Sequence, residues 1–443
     1  MTSISAQPRS GAGPYAAPSV FATLARYRHL LPLIALLYAA LVPLEIRLSF
    51  AGQNLYPTRV VGFLAMLVVV RSIIGRRFPF RKSELIFYFA ASWMIVSFVV
   101  YYGPIEGFPR SLALVIDVVF PYMIARNSVR TLTDLRVCLI IFAPGALISG
   151  ISMAIESISH RPFVRPLASS IFSPLPRYEG GVAVEQYDKA REIRLGLLRA
   201  TGPFSHPILA GVFMGSLWML YASSGLRGRP KIAGIIAGCL AVFSLSTAGF
   251  LALFLGFAMT AYDRVQKFVQ FLNWRAGVVA VAVFSLVIEL ASTKGIAGLA
   301  GRIALDGQTA YYRTLIWEYG LKSVFKHPWF GIGFDPFERL SWMVSSVDAY
   351  WLALAIRHGV PTALGFLAST VLAIYLLSIR AWRAEDETDR RTYVALAGTL
   401  FAIAFLAFTV ALFGGIVAWF FALLAVGFSL SESSPTGLKA RLA

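Results

Sequence analysis

Residues 293–359 read TKGIAGLAGRIALDGQTAYYRTLIWEYGLKSVFKHPWFGIGFDPFERLSWMVSSVDAYWLALAIRHG. This stretch decides the fold, because it is a long polar insertion between segments that are apolar over lengths sufficient to cross a membrane. Its charged, aromatic and glycine residues include Arg302, Tyr312, Arg313, Trp317, Lys326, His327, Gly331, Gly333 and Asp348. If the protein carries out chemistry, we expect it here.

The composition of the whole chain is that of a membrane protein. Of its 443 residues, 58% are hydrophobic and 14% are charged, and the mean hydropathy is +0.70. A soluble protein surface needs roughly a quarter of charged residues, so the composition excludes a soluble globule. Apolar runs of about 16 to 22 residues recur, which is the length of a membrane-spanning helix. The predicted fold class is an all-α, polytopic integral membrane protein.

The apolar runs and the charges between them predict the topology. We expect twelve spans, at about 30–46, 59–75, 84–102, 110–126, 136–155, 206–223, 231–246, 248–263, 276–292, 349–379, 392–411 and 414–430. Lys and Arg cluster after every even-numbered span, which places both termini in the cytoplasm by the positive-inside rule. The formal charge of +18 therefore indicates membrane orientation and no nucleic-acid partner.

One transmembrane domain is expected, with short tails and two long outer loops. The domain covers residues 26–430, between a disordered cytoplasmic tail over 1–25 and a cytoplasmic tail over 431–443. The outer loops cover about 156–205 and 293–348. Loops of this length usually carry function. Their charges nearly cancel, with seven basic and five acidic residues in the first and six and five in the second, so an anion site would depend on a few placed residues.

The tenth span contains signs of a break. Gly359 and Pro361 interrupt it, because proline removes a helical hydrogen bond and clashes with the preceding turn. Arg357 would then lie about two turns below the membrane edge. A charge there is costly unless it faces a cavity or a partner, which makes Arg357 a candidate functional residue, although a side chain that snorkels to the surface is the simpler alternative.

Motifs of soluble enzymes and metal sites are missing from the sequence. The five histidines show no metal-ligand spacing, so no metal and no cofactor are predicted. What remains is a set of outer arginines beside aromatic residues: Arg191, Arg194 and Arg199 before the sixth span, and Arg313 with Trp317 on an interfacial helix over 311–326. Guanidinium groups bind phosphate bidentately. The alternative is that they snorkel beside an aromatic belt.

Four segments together resemble the O-antigen ligase/polymerase superfamily. They are RATGPFSHP at 199–207, YRTLIW at 312–317, HPWFGIG at 327–333, and Asp348 with Gly359 eleven residues later. The resemblance covers roughly residues 195–380. It implies a bacterial inner-membrane enzyme that transfers a glycan, at the periplasmic face, from an undecaprenyl-pyrophosphate carrier to an acceptor hydroxyl without a metal. The donor, the acceptor and the bilayer are the implied partners, with a flippase or a chain-length regulator as further candidates.

The resemblance also implies roles for individual residues. Arg199 and Arg313 match the arginines that are thought to hold the donor pyrophosphate, whose charge grows as the glycosidic bond breaks. Ligases of this superfamily have a histidine where this chain has Asp348, which favours a Wzy-type polysaccharide polymerase over a ligase. Asp348 would be either the general base for the acceptor hydroxyl or the N-cap of the tenth span. The further substrate-binding candidates are Arg191, Arg194, His206, Arg302, Trp317, His327 and Arg357, of which His206 and His327 are also reserve bases.

The stereochemical outcome follows from whether a carboxylate attacks the sugar. Direct attack by the acceptor inverts the anomeric centre, and this is the outcome we favour. A covalent route would need a carboxylate nucleophile, for which the outer loops offer Asp335, Glu338 and Asp348.

Three other functions compete with polymerisation. An O-antigen ligase, acting on lipid A core or on a protein, is the nearest. A transporter or flippase would also have twelve helices, but residues 30–223 and 231–430 show no similarity to each other, as the repeats of such carriers would. A scaffold in an envelope complex is the third alternative.

Overall fold

The computed structural model describes residues 27–50, 53–78, 80–172, 193–266 and 307–432, with a few residues in between. The α-helices of these ranges are α1 Leu31–Ala39, α2 Pro57–Ile74, α3 Leu85–Tyr102, α4 Pro104–Ser128, α5 Leu132–Ser159, α6 Val164–Phe172, α7 Pro207–Ser223, α8 Arg229–Cys239, α9 Thr247–Val265, α10 Gly307–Lys326, α11 Tyr350–His358, α12 Val360–Arg383, α13 Glu387–Leu406 and α14 Gly415–Glu432. The strands form antiparallel pairs, β1 Leu48–Phe50 with β2 Gln53–Leu55, β3 Tyr178–Glu179 with β4 Val182–Ala183, and β5 Ile193–Arg194 with β6 Leu197–Leu198. The predicted all-α class is confirmed.

Six helices of the described part are long and apolar enough to cross a membrane, namely α2, α3 with the turn before it, α4, α5, α9 and α12. They match six of the twelve predicted spans. Three more spans correspond to shorter apolar helices, Arg28–Ala39, Pro207–Ser223 and Gly415–Ser431. The span predicted at 231–246 is different, because α8 has only 11 residues and continues as a 3-10 helix over Leu240–Ser244.

Some predicted segments fall partly or wholly outside the described residues. These are the ninth span at 276–292, the N-terminal tail and most of the C-terminal tail. The C-terminal tail begins later than predicted, since α14 continues to Glu432. The first long outer loop also begins later, because α5 extends to Ser159.

Local sequence signals explain several helix starts. Helices α2, α4 and α7 begin with proline, whose fixed φ suits the first helical position and whose missing N–H would have no partner there. Helix α5 begins with a capping box, in which Thr131 and Asp134 each accept a backbone N–H from the other residue.

The core is built around α14. Its residues from Ile416 to Leu430 are nearly all buried, as expected of a helix that is apolar on every side. The Phe87 ring stacks on Tyr122 at 3.7 Å and contacts Phe366 and Phe421, so aromatic side chains join α3, α4, α12 and α14.

The loops that follow even-numbered spans meet at one end of the helical bundle, which we call the basic end. Ion pairs between these loops show this: Arg126 with Glu84, Arg136 with Asp389, and Arg390 with Asp263, all at 2.6–2.8 Å between nitrogen and oxygen. Both ends of the described chain lie here too, since His29 contacts Asp134 and Ser429 accepts from Arg126. The contacts agree with the alternating charge pattern of the sequence.

The tenth span is broken at Gly359, as predicted. Helix α11 ends at His358 and α12 begins at Val360, with Gly359 at φ +84° and ψ 166°, a region that only glycine occupies readily. A Cβ at this position would collide with the Trp329 carbonyl oxygen. The Val360 N–H donates to Pro328 O at 2.8 Å, so the segment after α10 packs directly against the break.

Residues 307–359 have a small hydrophobic core of their own. Leu315, Ile316 and Val324 of α10 are buried against Leu352 and Ile356 of α11, with Ile332, Phe337 and Met343 from the connecting segment. The polar insertion is therefore a packed unit at the side of the bundle, with α11 between it and the main helices.

Candidate functional site

A tight hairpin holds the arginines of the first outer loop. Leu195 and Gly196 both have positive φ, at +52° and +76°, which is the backbone of a type I′ turn and fits the twist of two paired strands. Arg194 pairs with Leu197 across this turn, and Arg199 follows two residues later with only 8% of its surface exposed. The hairpin thus brings Arg194 and Arg199 to one place.

A buried carboxylate fixes the segment that follows Arg199. Glu156 is fully buried and accepts three backbone N–H groups, from Gly202 at 2.8 Å and from Phe163 and Val164 at 3.1 Å. Gly202 has φ +53°, and a Cβ there would lie 2.8 Å from Met153. The glycine of the RATGPFSHP segment is therefore required by its backbone conformation and by its close approach to α5.

An ion pair between two other outer segments supports the same segment. Arg165 forms an ion pair with Glu45 at 2.7 Å and donates to Ser205 O at 2.9 Å. Sequence reasoning did not identify Glu45, Glu156 or Arg165, because each lies far along the chain from the residues that it supports.

His206 is a helix cap in this structure. Its Nδ1 accepts the Ile208 N–H at 3.2 Å at the start of α7, which leaves the proton on Nε2. Burial lowers the pKa of His206, and the positive charges of Arg199 and Arg165 lower it further. His206 is thus poorly suited to the role of reserve base, although its Nε2–H remains a donor.

Arg313, Asp348 and Arg194 come together between α10, the hairpin and the start of α11. Burial lowers the pKa of Arg313, the Asp348 carboxylate raises it, and the Arg194 charge lowers it again. The Arg313 Nε is buried, and no hydrogen-bond acceptor for it is found among the described residues. A buried guanidinium N–H without an acceptor is costly. An anionic or polar ligand that accepts a hydrogen bond from Arg313 Nε would remove this cost.

Tyr312 holds the segment before α11 beside Arg313. Its hydroxyl accepts the Val344 N–H at 2.7 Å, which ties residues 344–348 to α10. Burial raises the pKa of Tyr312, the hydrogen bond from Val344 lowers it, and the Asp348 charge raises it, so Asp348 lies close to this ring as well.

Asp348 is not the N-cap residue of α11. The N-cap is Ala349, and Asp348 precedes it. Asp348 is partly exposed and lies beside Arg313, where a carboxylate could accept a proton from a substrate hydroxyl.

The other predicted carboxylates have structural partners. Asp335 accepts hydrogen bonds from the Tyr101 hydroxyl at 2.7 Å and the Tyr102 hydroxyl at 3.3 Å. Glu338 forms an ion pair with Lys326. Both lie away from the Arg313 cluster, which leaves Asp348 as the carboxylate beside Arg313 within the described part.

Two further predicted site residues are Trp317 of α10 and His327, which follows α10. Trp317 anchors the helix, since its Nε1 donates to Phe408 O at 2.9 Å and its ring stacks on Phe408. His327 is exposed beyond the far end of α10, fourteen residues from Arg313, which is about 21 Å along a helix. Arg191 and Arg302 lie outside the described residues.

Arg357 lines a cavity on the other face of α11. This cavity of about 160 Å³ is also lined by Arg59, Asp117 and Tyr350. Arg59 forms a bidentate ion pair with Asp117, at 2.7 Å for each of the two contacts. Sequence reasoning missed Arg59, although a signal existed: the sequence places one arginine and one aspartate inside neighbouring apolar spans, where charges usually occur in pairs.

Comparison with known proteins supports the resemblance seen in the sequence. A family model described as O-antigen ligase matches residues 232–367. The match includes all of α10 and α11, with Arg313, Asp348, Arg357 and Gly359, and it ends within α12. No curated protein matches the chain.

Proposed function

From the premise that residues 232–367 form a domain of the O-antigen ligase/polymerase superfamily, we propose that the chain transfers a glycan from a lipid pyrophosphate carrier to a sugar hydroxyl. The observation that carries the proposal is the Arg313 cluster: a guanidinium with a buried, unpartnered Nε next to a carboxylate. The reaction needs one cationic group at the leaving pyrophosphate and one base at the acceptor. Arg313 and Asp348 provide this pair.

The proposed reaction is a single displacement at the anomeric carbon. Asp348 accepts the proton of the acceptor hydroxyl, the new glycosidic bond forms, and the bond to the pyrophosphate breaks with inversion. Arg313 and Arg194 stabilise the negative charge that develops on the leaving pyrophosphate, and such interactions accelerate the reaction because they strengthen in the transition state. Arg199, the residue after β6, is assigned to the same pyrophosphate, as the resemblance implies.

We place the basic end of the bundle in the cytoplasm and the Arg313 cluster at the periplasmic side of the bacterial inner membrane. The support is the excess of Lys and Arg in the loops that meet at the basic end. The donor would then be an undecaprenyl-pyrophosphate-linked glycan, and no metal is assigned to the reaction.

Polymerisation of repeat units is the reaction that we favour. Asp348 stands where ligases of the superfamily have a histidine, which supports a polymerase of O-antigen or exopolysaccharide. Ligation to lipid A core or to a protein is the second candidate, and the matched family model is itself described as O-antigen ligase.

Glycan profiles of cells that lack this protein test the proposal. The strain is complemented with wild type, with Arg313→Gln, or with the control Lys322→Gln, which removes an exposed cation from the same helix. We expect the deletion strain to accumulate a single lipid-linked repeat unit. Arg313→Gln should not restore polymer, because loss of one group that stabilises transition-state charge costs about 10²- to 10³-fold in rate, whereas the control should restore it.

Other outcomes of the same experiment separate the alternatives. Unattached long polymer in the deletion strain means a ligase. An unchanged glycan profile in the deletion strain would contradict the transferase proposal and favour the transporter alternative. A scaffold predicts that Arg313→Gln restores the profile fully at normal protein level.

A further inference from the structure

Helix α11 separates two cationic regions. Leu352 and Ile356 face α10 and pack in the small core beside Arg313. Tyr350, Leu354 and Arg357 line the cavity on the other side. Within each set, consecutive residues are three or four positions apart, so each set forms one stripe along the helix. The cavity is therefore distinct from the Arg313 cluster.

The cavity lies away from the basic end of the bundle. Asp117 is nine residues from Arg126, which belongs to the ion pairs of the basic end, and this spacing is about 13 Å along α4. Its partner Arg59 is the third residue of α2, at the end of that helix farthest from the basic end. A charged group inside a membrane-embedded bundle is costly unless it has a counter-charge.

Arg59 and Asp117 satisfy each other. Beyond the bidentate ion pair, Arg59 donates to Asn54 O at 3.0 Å and to Ala113 O at 3.1 Å. The pair is electrically neutral, and Arg59 has little hydrogen-bonding capacity left. Its role is to fix α2 against α4 and to set one wall of the cavity.

Arg357 has no such partner in the part of the chain that the structure describes. Its guanidinium lies 5.6 Å from the centre of the Phe334 ring, a cation–π contact that does not neutralise the charge. The Tyr350 hydroxyl, on which both Asp117 and Arg357 act electrostatically, has no hydrogen bond to another described residue. The cavity thus carries one net positive charge and a free hydroxyl donor.

We propose that this cavity binds a phosphate-type anion through Arg357 and Tyr350. Resting on the function proposed above, we assign it to the phosphate of a second lipid-linked substrate, the acceptor. Polymerisation joins two lipid-linked glycans, so two anionic groups must be held at once, and α11 keeps them apart. A cavity of about 150 Å³ accommodates a molecule as large as benzene, so the space is sufficient for a phosphate group.

Calorimetric titration of the full-length protein in nanodiscs tests the proposal, with farnesyl pyrophosphate as the lipid probe and inorganic pyrophosphate as the soluble probe. Wild type should bind two equivalents of the lipid probe. Arg357→Gln should weaken one of the two binding events by about 10- to 100-fold, the value of a charge-assisted hydrogen bond, and Arg313→Gln should weaken the other. Lys322→Gln should leave both unchanged.

Tyr350→Phe provides a second test that does not depend on folding of the arginine variant. The hydroxyl has no hydrogen bond among the described residues, so its removal should preserve packing and weaken the Arg357 binding event by about tenfold. Equal affinity for both probes would identify soluble pyrophosphate as the ligand, and tighter binding of the farnesyl probe would identify a lipid. Both results support an anion site.

The results that overturn this inference differ from those that overturn the proposed function. A single binding event that is lost in Arg313→Gln and unchanged in Arg357→Gln and Tyr350→Phe removes the cavity site and leaves the transferase intact. The proposed anion site is also overturned if the cavity binds a free hexose and binds neither pyrophosphate probe. If Arg313→Gln supports normal glycans while Arg357→Gln loses anion binding, the cavity site stands and the proposed function fails.

Discussion

At the scale of single residues, the candidate site depends on one unsatisfied N–H of a buried arginine. Arg313 has a buried Nε without an acceptor in the described part, and its neighbours are Asp348 and Arg194. The buried Glu156 carboxylate, by contrast, accepts three backbone N–H groups. A ligand that accepts the Arg313 N–H would remove the cost of leaving that donor unsatisfied.

Asp348→Asn should lower the transfer rate while leaving donor binding in place. Asparagine has the same shape but cannot accept the proton of the acceptor hydroxyl, and a positioned general base contributes about 10²- to 10⁴-fold. The measurement is polymer formation by purified protein from lipid-linked repeat units, with farnesyl pyrophosphate binding measured in parallel. A variant that polymerises at the wild-type rate would exclude Asp348 as the base.

At the scale of secondary-structure elements, the break between α11 and α12 positions the site. Gly359 ends α11 just after Arg357 and lets the Trp329 carbonyl approach the backbone. The break therefore determines where α11 ends beside the cavity and where the segment that follows α10 packs. An unbroken helix would leave no room for residues 327–333.

Gly359→Ala should destabilise the protein by about 2 kcal/mol or more, because it adds both backbone strain and a collision. Gly103→Ala is a matched control, since Gly103 also joins two helices at φ +79° and ψ 165° but has nothing within 4 Å of an added Cβ. Thermal unfolding of the two variants in detergent measures both costs. Backbone strain is common to both variants, whereas the collision with Trp329 occurs only in Gly359→Ala. Equal destabilisation by the two variants would show that contact with Trp329 contributes nothing.

At the scale of the whole molecule, ion pairs at the basic end tie distant helices together. Glu84 is fully buried and Arg126 is 3% exposed, and the pair also engages Tyr122 and Ser429. One network thus connects the start of α3, the end of α4 and the end of α14.

Arg126→Met should destabilise the fold by about 3–5 kcal/mol, because it leaves the buried Glu84 carboxylate without its counter-charge. Adding Glu84→Gln should recover much of this loss. The control is Arg110→Met, which breaks an exposed pair with Glu106 and should cost less than about 1 kcal/mol. Thermal unfolding in detergent measures all three, and no recovery in the double variant would contradict the argument from charge.

Cysteine labelling tests the proposed orientation. Cys138, which is buried, and Cys239, which is exposed, are first changed to Ser. We expect Leu195→Cys, in the β5–β6 turn, to react with a membrane-impermeant maleimide in spheroplasts. Arg227→Cys, in an exposed loop of the predicted cytoplasmic face, should react only after permeabilisation. The reverse pattern would invert the topology.

The sequence by itself determined the features that depend on local composition and short spacing. Apolar runs predicted helices, alternating charge predicted which loops meet, and Gly359 with Pro361 predicted the break. The short motifs also predicted Arg313 and Asp348 as site residues, and the structure brings these two side chains near each other.

Only the tertiary structure decided which distant charges meet. Arg59 and Asp117 are 58 residues apart, and Arg313 and Arg194 come from different outer loops. The structure also made Ala349, and not Asp348, the N-cap residue of α11. The physical reason is that helix periodicity places residues on a face, whereas packing of whole helices determines which faces meet. The burial of a charge, and thus its need for a partner, exists only after that packing.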